Sequence, residues 1–234
     1  MTEIKFYLSI LYMAIICFAP IHAQDDPVAN YLQQVGDYAD IYNGRMETVY
    51  NILLYENLPY YMNADFTEAS IIYRKNYFPN LKARLDLYRE QLILLPPETQ
   101  FGIIVNTQNV DKVYIYNRTF VLLNPPKESG LKQGFYMQLF EREKMQLYSK
   151  EHFFLESKQL TFNFERKIRY YLLYNGQYFT IKNSGSFSKL FPQYKKQINK
   201  FAKEQHLNFK RDAEKSFTSL ADYCEELLTS TNQQ

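Results

Sequence analysis

The clearest pattern along this chain is an alternation of apolar and polar residues. Every second residue from Leu81 to Leu87 is apolar, which is the period of a β-strand with one buried face. Asn175-Gly176 predicts a type I′ hairpin turn, because both residues tolerate positive φ. Comparable runs predict a return strand after 89–90 and further strands at 101–105, 112–116, 119–123, 135–140, 145–148, 160–166 and 168–174.

Helical spacing of apolar residues flanks this β-rich region. Asp26-Pro27 supplies an N-cap carboxylate and a proline for the first helical position, and Asn43-Gly44 supplies a stop, so a helix is predicted over 24–44. The segment 186–230 predicts a pair of helices. The second of these carries one apolar stripe, formed by Phe217, Leu220, Cys224 and Leu227.

These elements predict an α+β fold in one domain over 24–234. An N-terminal helix precedes an antiparallel β meander over 45–183, which forms a curved sheet or half-barrel, and a C-terminal helix pair follows. Within the meander, Glu151-His152 is interpreted as a polar turn between strands.

The first 23 residues have the layout of a cleavable signal peptide. An apolar stretch from Phe6 to Ala19 precedes Pro20 and a cleavage point after Ala23. We therefore expect an exported protein of the periplasm or cell envelope. No later segment has the roughly 18 to 20 uncharged residues of a membrane helix, so no transmembrane span is expected after cleavage. Cys224 then remains as a single cysteine, which leaves no intramolecular disulfide.

Composition narrows the classes of partner. The chain has 22 Tyr, 18 Phe, no Trp and only 7 Gly, which is typical of a well-packed, strand-rich domain. A formal net charge of +2 is too small to predict nucleic-acid binding. Lysine and arginine are concentrated between 189 and 215, and we interpret them as a solvated helix face, with an anionic lipid, a polysaccharide or a protein as alternative partners.

No catalytic, metal or cofactor motif is evident. His152 and His206 are isolated from each other and from other ligand types, and Cys224 lies on an apolar stripe where a buried, inert thiol is expected. We predict no cofactor and no enzymatic activity. Asp86 and Glu165 are the carboxylates considered as an acid/base pair, but we interpret them as salt-bridged positions on a solvated sheet face, since one sequence cannot show that two carboxylates converge.

Tyrosines provide the candidate binding surface. Tyr60, Tyr61, Tyr171, Tyr174 and Tyr178 offer apolar area with a polar tip, which suits a platform for a sugar or an extended peptide. Core packing is the interpretation we favour, since adjacent residues of a strand point to opposite faces and at least one tyrosine of each adjacent pair should pack inward.

The chain resembles a family of small exported proteins of unknown function from Bacteroidetes-type bacteria. The shared features include Tyr42-Asn43-Gly44, Asn57-Leu58-Pro59-Tyr60, Arg84-Leu85-Asp86-Leu87-Tyr88, Leu190-Phe191-Pro192 and Leu207-Asn208-Phe209-Lys210. The resemblance implies an envelope protein with a β-rich body and a helical C-terminus. It implies no catalytic residue.

The resulting hypothesis is a non-enzymatic envelope protein that acts through protein binding or assembly. Its contact surface would be an exposed sheet edge or an aromatic patch, and its partner an envelope protein. The alternative is a glycan-binding accessory module.

Overall fold

An antiparallel sheet of eleven strands dominates the computed structural model, which describes residues 36, 38 and 40–230. The strands are β1 Arg45–Met46, β2 Thr67–Tyr73, β3 Asn76–Asp86, β4 Gln91–Leu95, β5 Ile103–Ile104, β6 Val110–Ile115, β7 Arg118–Leu123, β8 Gly134–Glu141, β9 Met145–Lys158, β10 Thr161–Tyr174 and β11 Gln177–Ile181. They are ordered β1-β5-β4-β3-β2-β6-β7-β8-β9-β10-β11, and the sheet is open.

Short hairpins connect most of the neighbouring strands. Asn175 and Gly176 have φ values of 47° and 73°, so the predicted type I′ geometry is confirmed at this turn. Irregular register between Ala69 and Ile71, and again between Gln138 and Phe140, interrupts the regular ladder. Such bulges bend and twist a sheet.

Three helices follow the sheet: α1 Ser184–Leu190, α2 Lys195–Glu204 and α3 Ala213–Ser230. The prediction of a helix pair over 186–230 was therefore too simple, because Phe191 ends α1 and a 3₁₀ turn over Pro192–Tyr194 separates it from α2. The predicted helix over 24–44 and the predicted signal peptide over 1–23 fall largely or wholly outside the described residues. No helix within the described part of the chain has the length and apolar character needed to cross a membrane.

The core is divided into two main hydrophobic clusters. The first joins strands β2 to β8 through residues such as Ile71, Leu85 and Phe135. The second joins β9, β10 and the three helices, and it contains the predicted α3 stripe, with Leu220 fully buried. Leu139 of β8 packs against both clusters, so it marks the boundary between them.

Strands β9 and β10 are much longer than predicted. Each has 14 residues. They pair without interruption, from Met145 opposite Tyr174 at one end to Lys158 opposite Thr161 at the other. Glu151 and His152 accordingly lie in the middle of β9, and the interpretation of this dipeptide as a turn was wrong. The separate strands predicted at 160–166 and 168–174 are one strand.

Candidate functional site

A groove of about 940 Å³ lies between helix α3 and the sheet, at the boundary of the two main clusters. Leu139, Ile168 and Tyr170 contribute from the strands, while the segment 210–215 and the first turns of α3 form the opposite wall. Ile168 is 39% exposed, whereas Tyr170 is half-buried and Leu172 is fully buried farther along the same face of β10. The floor of the groove is therefore an apolar strand surface that the helices leave uncovered.

One ion pair lies in this groove, and a second joins β9 to β10 beside it. The guanidinium of Arg118 lies 3.0 Å from the carboxylate of Glu214, and that of Arg166 lies 3.4 Å from the carboxylate of Glu151. Burial raises the pKa of Glu151 above its usual value, and Glu214 adds to this increase while Arg166 opposes it. Each carboxylate thus has an arginine partner.

A second hollow of about 520 Å³ continues along β10 from the same floor. Ile168 and Tyr170 line both hollows, and Phe209 and Phe217 close the far wall of the second. The ring of Tyr170 lies 4.7 Å, centroid to centroid, from that of Phe217. This hollow is the more apolar part of the groove.

The groove is also bordered by cations without acidic partners. Within the described residues, no carboxylate lies within ion-pair distance of Arg169, Lys182, Lys210 or Arg211. All four residues are exposed. The lysine- and arginine-rich segment predicted as a solvated face is exposed, and part of it forms this border.

The five candidate tyrosines do not form one surface. Tyr60, Tyr61 and Tyr171 are buried, and Tyr174 and Tyr178 are half-buried. They belong to four different hydrophobic clusters, so an exposed platform built from them is a wrong prediction. The physical reason is tertiary packing between aromatic rings, in which Tyr60 contacts Tyr50, Tyr61 contacts Phe120 and Tyr171 contacts Tyr136.

Specific contacts hold the buried tyrosines. The Tyr60 hydroxyl donates to Glu47 Oε1 at 2.9 Å, and its ring lies 4.5 Å from the Arg84 guanidinium. The hydroxyl of Tyr171 lies 3.2 Å from His152 Nε2. Burial lowers the pKa of His152 to about 4, so this imidazole is neutral at pH 7.

The candidate carboxylates Asp86 and Glu165 have different environments. Asp86 is fully buried, accepts hydrogen bonds from the Tyr50 hydroxyl at 2.8 Å and from the backbone of the following turn, and is not on a solvated face. Glu165 is partly exposed and lies 3.1 Å from Lys167. Phe164 packs against Tyr50, so the adjacent Glu165 points away from Asp86, and the two carboxylates do not converge.

Sequence reasoning also missed a buried ion pair. Lys150 of β9 donates to Glu90, which lies in the turn after β3, and to the Phe135 carbonyl oxygen at 2.9 Å. A lysine among polar residues of an apparent turn gave no signal of burial. Cys224 is buried as predicted, and burial raises the pKa of its thiol to about 12.

No known protein family, curated protein or solved structure is significantly similar to this chain. The resemblance to small exported Bacteroidetes-type proteins therefore stays a prediction.

Proposed function

We propose that this protein is exported to the cell envelope and acts there by binding a protein partner, without catalysing a reaction. The observation that carries the proposal is the uncovered strand surface at Ile168, which lies in a groove bordered by Lys210 and Arg211, two cations with no carboxylate at ion-pair distance in the part of the chain that the structure describes. Exposed apolar area flanked by unpaired charge is typical of a protein-binding surface.

The charges of the groove support binding better than catalysis. A general acid or base needs a carboxylate that is free to exchange a proton with a substrate. Glu151 and Glu214 each lie within ion-pair distance of an arginine, which holds these carboxylates in a fixed geometry.

Site-specific crosslinking would test this proposal. A photoreactive residue at position 168 should crosslink to an envelope protein in living cells, whereas the same residue at position 77 should not. Tyr77 is a suitable control because it is 61% exposed and lies in the hairpin between β2 and β3. The crosslinked protein is then purified, and its binding to wild type, Ile168→Ser and Tyr77→Ser is measured directly.

The proposal predicts that only Ile168→Ser weakens binding, with unchanged thermal unfolding. Equal binding by all three chains would refute the assignment of this groove. Binding of a glycan in place of a protein would favour the accessory-module alternative. Turnover of a peptide or polysaccharide that is lost in Glu151→Gln would overturn the non-enzymatic proposal.

A further inference from the structure

One stretch of β10 has a backbone neighbour on only one side. Strand β9 pairs with the whole of β10, but β11 covers only Tyr170 to Tyr174 of its other side. Farther along that side, the segment 54–57 runs beside Phe162 and Phe164. Between these two neighbours, residues 165–169 have no backbone partner on their outer side in the described part of the chain.

The direction of the free hydrogen-bonding groups follows from those neighbours. Phe162 N–H donates to the Leu54 carbonyl oxygen at 2.7 Å, and the Phe162 carbonyl accepts from Glu56 N–H at 2.9 Å. In an antiparallel pair, the residues whose backbone groups point outward alternate with those that face the partner strand. Arg166 and Ile168 therefore present their N–H and C=O groups to the open side.

At Phe164, the next residue whose backbone groups point outward, the side chain of Asn57 makes the hydrogen bonds that a neighbouring strand would make. The Asn57 amide accepts from Phe164 N–H at 2.7 Å and donates to the Phe164 carbonyl oxygen at 2.9 Å. These bonds show that the edge can accept partners at this spacing. Arg166 and Ile168 continue the same row and are exposed.

Side chains around this opening define the chemistry of an added strand. Ile168 leads into the apolar hollow closed by Phe209 and Phe217. Arg169 and Lys182 line the same hollow and have no carboxylate at ion-pair distance within the described residues. An extended segment that carries both an acidic residue and a large apolar residue fits these features.

We propose that an extended acidic segment of a partner protein adds as a strand to β10 at residues 165–169 and places an apolar side chain beside Ile168. The inference rests on the proposed protein-binding function and deepens it. The proposal commits to an acidic segment because Arg169 and Lys182 have no carboxylate at ion-pair distance within the described residues, and a second copy of this chain is an outcome that the test distinguishes.

A peptide pool would test strand addition directly. The probes are short peptides in which glutamate alternates with leucine or valine, together with charge-reversed lysine peptides and acidic peptides methylated on alternate backbone nitrogens. Binding is measured by fluorescence anisotropy on the full chain after export. We expect only unmethylated acidic peptides to bind, with protection of the Arg166 and Ile168 amides from hydrogen exchange.

Two charge reversals provide matched variants. Arg169→Glu should weaken peptide binding by roughly fivefold to tenfold, since it replaces an attraction with a repulsion. Lys127→Glu has the same charge change at an exposed residue of the loop before β8 and should leave affinity within about twofold of wild type.

The outcomes separate this inference from the proposed function. If the crosslinked envelope protein binds but no acidic peptide binds at about 1 mM, strand addition is refuted and the groove assignment survives. Equal binding of the methylated peptides also refutes strand addition. If neither the envelope protein nor a peptide binds, both proposals fail. A dimer in solution that protects the same two amides would assign the edge to a second copy instead.

Discussion

The buried ion pair of Glu90 and Lys150 offers a direct test of how the sheet is held together. The Lys150 side chain is 3% exposed and that of Glu90 is 28% exposed. Besides donating to Glu90 and to the Phe135 carbonyl oxygen, the Lys150 ammonium lies 4.8 Å from the Tyr136 ring centre. Phe135 N–H donates to Glu90 at 2.7 Å, so the pair links the turn after β3 to β8 and β9.

The change we propose is Lys150→Met, which keeps the length of the side chain and removes its charge. Burial raises the pKa of Glu90 and lowers that of Lys150, so the environment disfavours either charge without the other. Loss of one partner from such a pair costs about 3 kcal/mol, because the remaining charge stays desolvated. Replacing both by Glu90→Gln and Lys150→Met should restore a large part of that loss.

Urea unfolding of the four chains in this double-mutant cycle measures the effect, provided that the dependence on urea is the same for all. Lys158→Met is the matched control, since its partner Glu56 lies 2.9 Å away and both side chains are largely exposed. The control should lose less than about 1 kcal/mol. The reasoning is refuted if Lys150→Met is as stable as the control, or if the double variant is as unstable as the sum of the single changes.

Three further predictions concern other parts of the chain. His152 is half-buried, and folding favours its neutral imidazole because burial lowers its pKa from 6.5 to about 4, so stability should fall as pH falls from 6.5 towards 4. Relative to His152→Gln, the wild type should therefore lose about 1 kcal/mol between pH 7 and pH 5 in urea unfolding, after allowance for solvent screening, and parallel curves would contradict this. Leu220→Asp should lower the free energy of unfolding by about 4 kcal/mol, because it places an unpaired charge in the core. The exposed control Glu226→Ala should change the free energy of unfolding by less than about 0.5 kcal/mol. Similar melting temperatures of the two variants would show that the α3 stripe is not buried. The exported protein should begin at Gln24, and an intact mass that retains Met1 would refute cleavage after Ala23.

Local sequence patterns predicted the structure correctly wherever one face of a strand or helix is buried and the other is exposed to solvent. The alternation from Leu81 to Leu87 predicted the inward residues of β3, because the side-chain period of a strand requires no knowledge of its neighbours. Asn175-Gly176 predicted its own turn for a similar reason, since positive φ is a property of those two residues. The α3 stripe and the burial of Cys224 also followed from spacing alone.

Long-range pairing decided what local patterns could not. Glu151 and His152 look like a turn in sequence, yet they are held in β9 by pairing with Ile168 and Lys167 of a strand that comes later in the chain. Asp86 became a buried residue because Tyr50, distant in sequence, covers it. Polar residues of this kind carry no hydrophobic signal, and their burial depends on partners that only the fold supplies.

The groove and the open edge of β10 were also decided by long-range contacts and not by local sequence patterns. The sequence by itself determined a strand-rich body, its inward-facing apolar positions and a helical C-terminus, because these depend on residue type and spacing. Only the tertiary structure decided that five promising tyrosines are divided among four clusters, and that residues 165–169 lie between two backbone neighbours without one of their own. Exposure of a strand edge depends on where other segments end, which residue type and spacing do not encode.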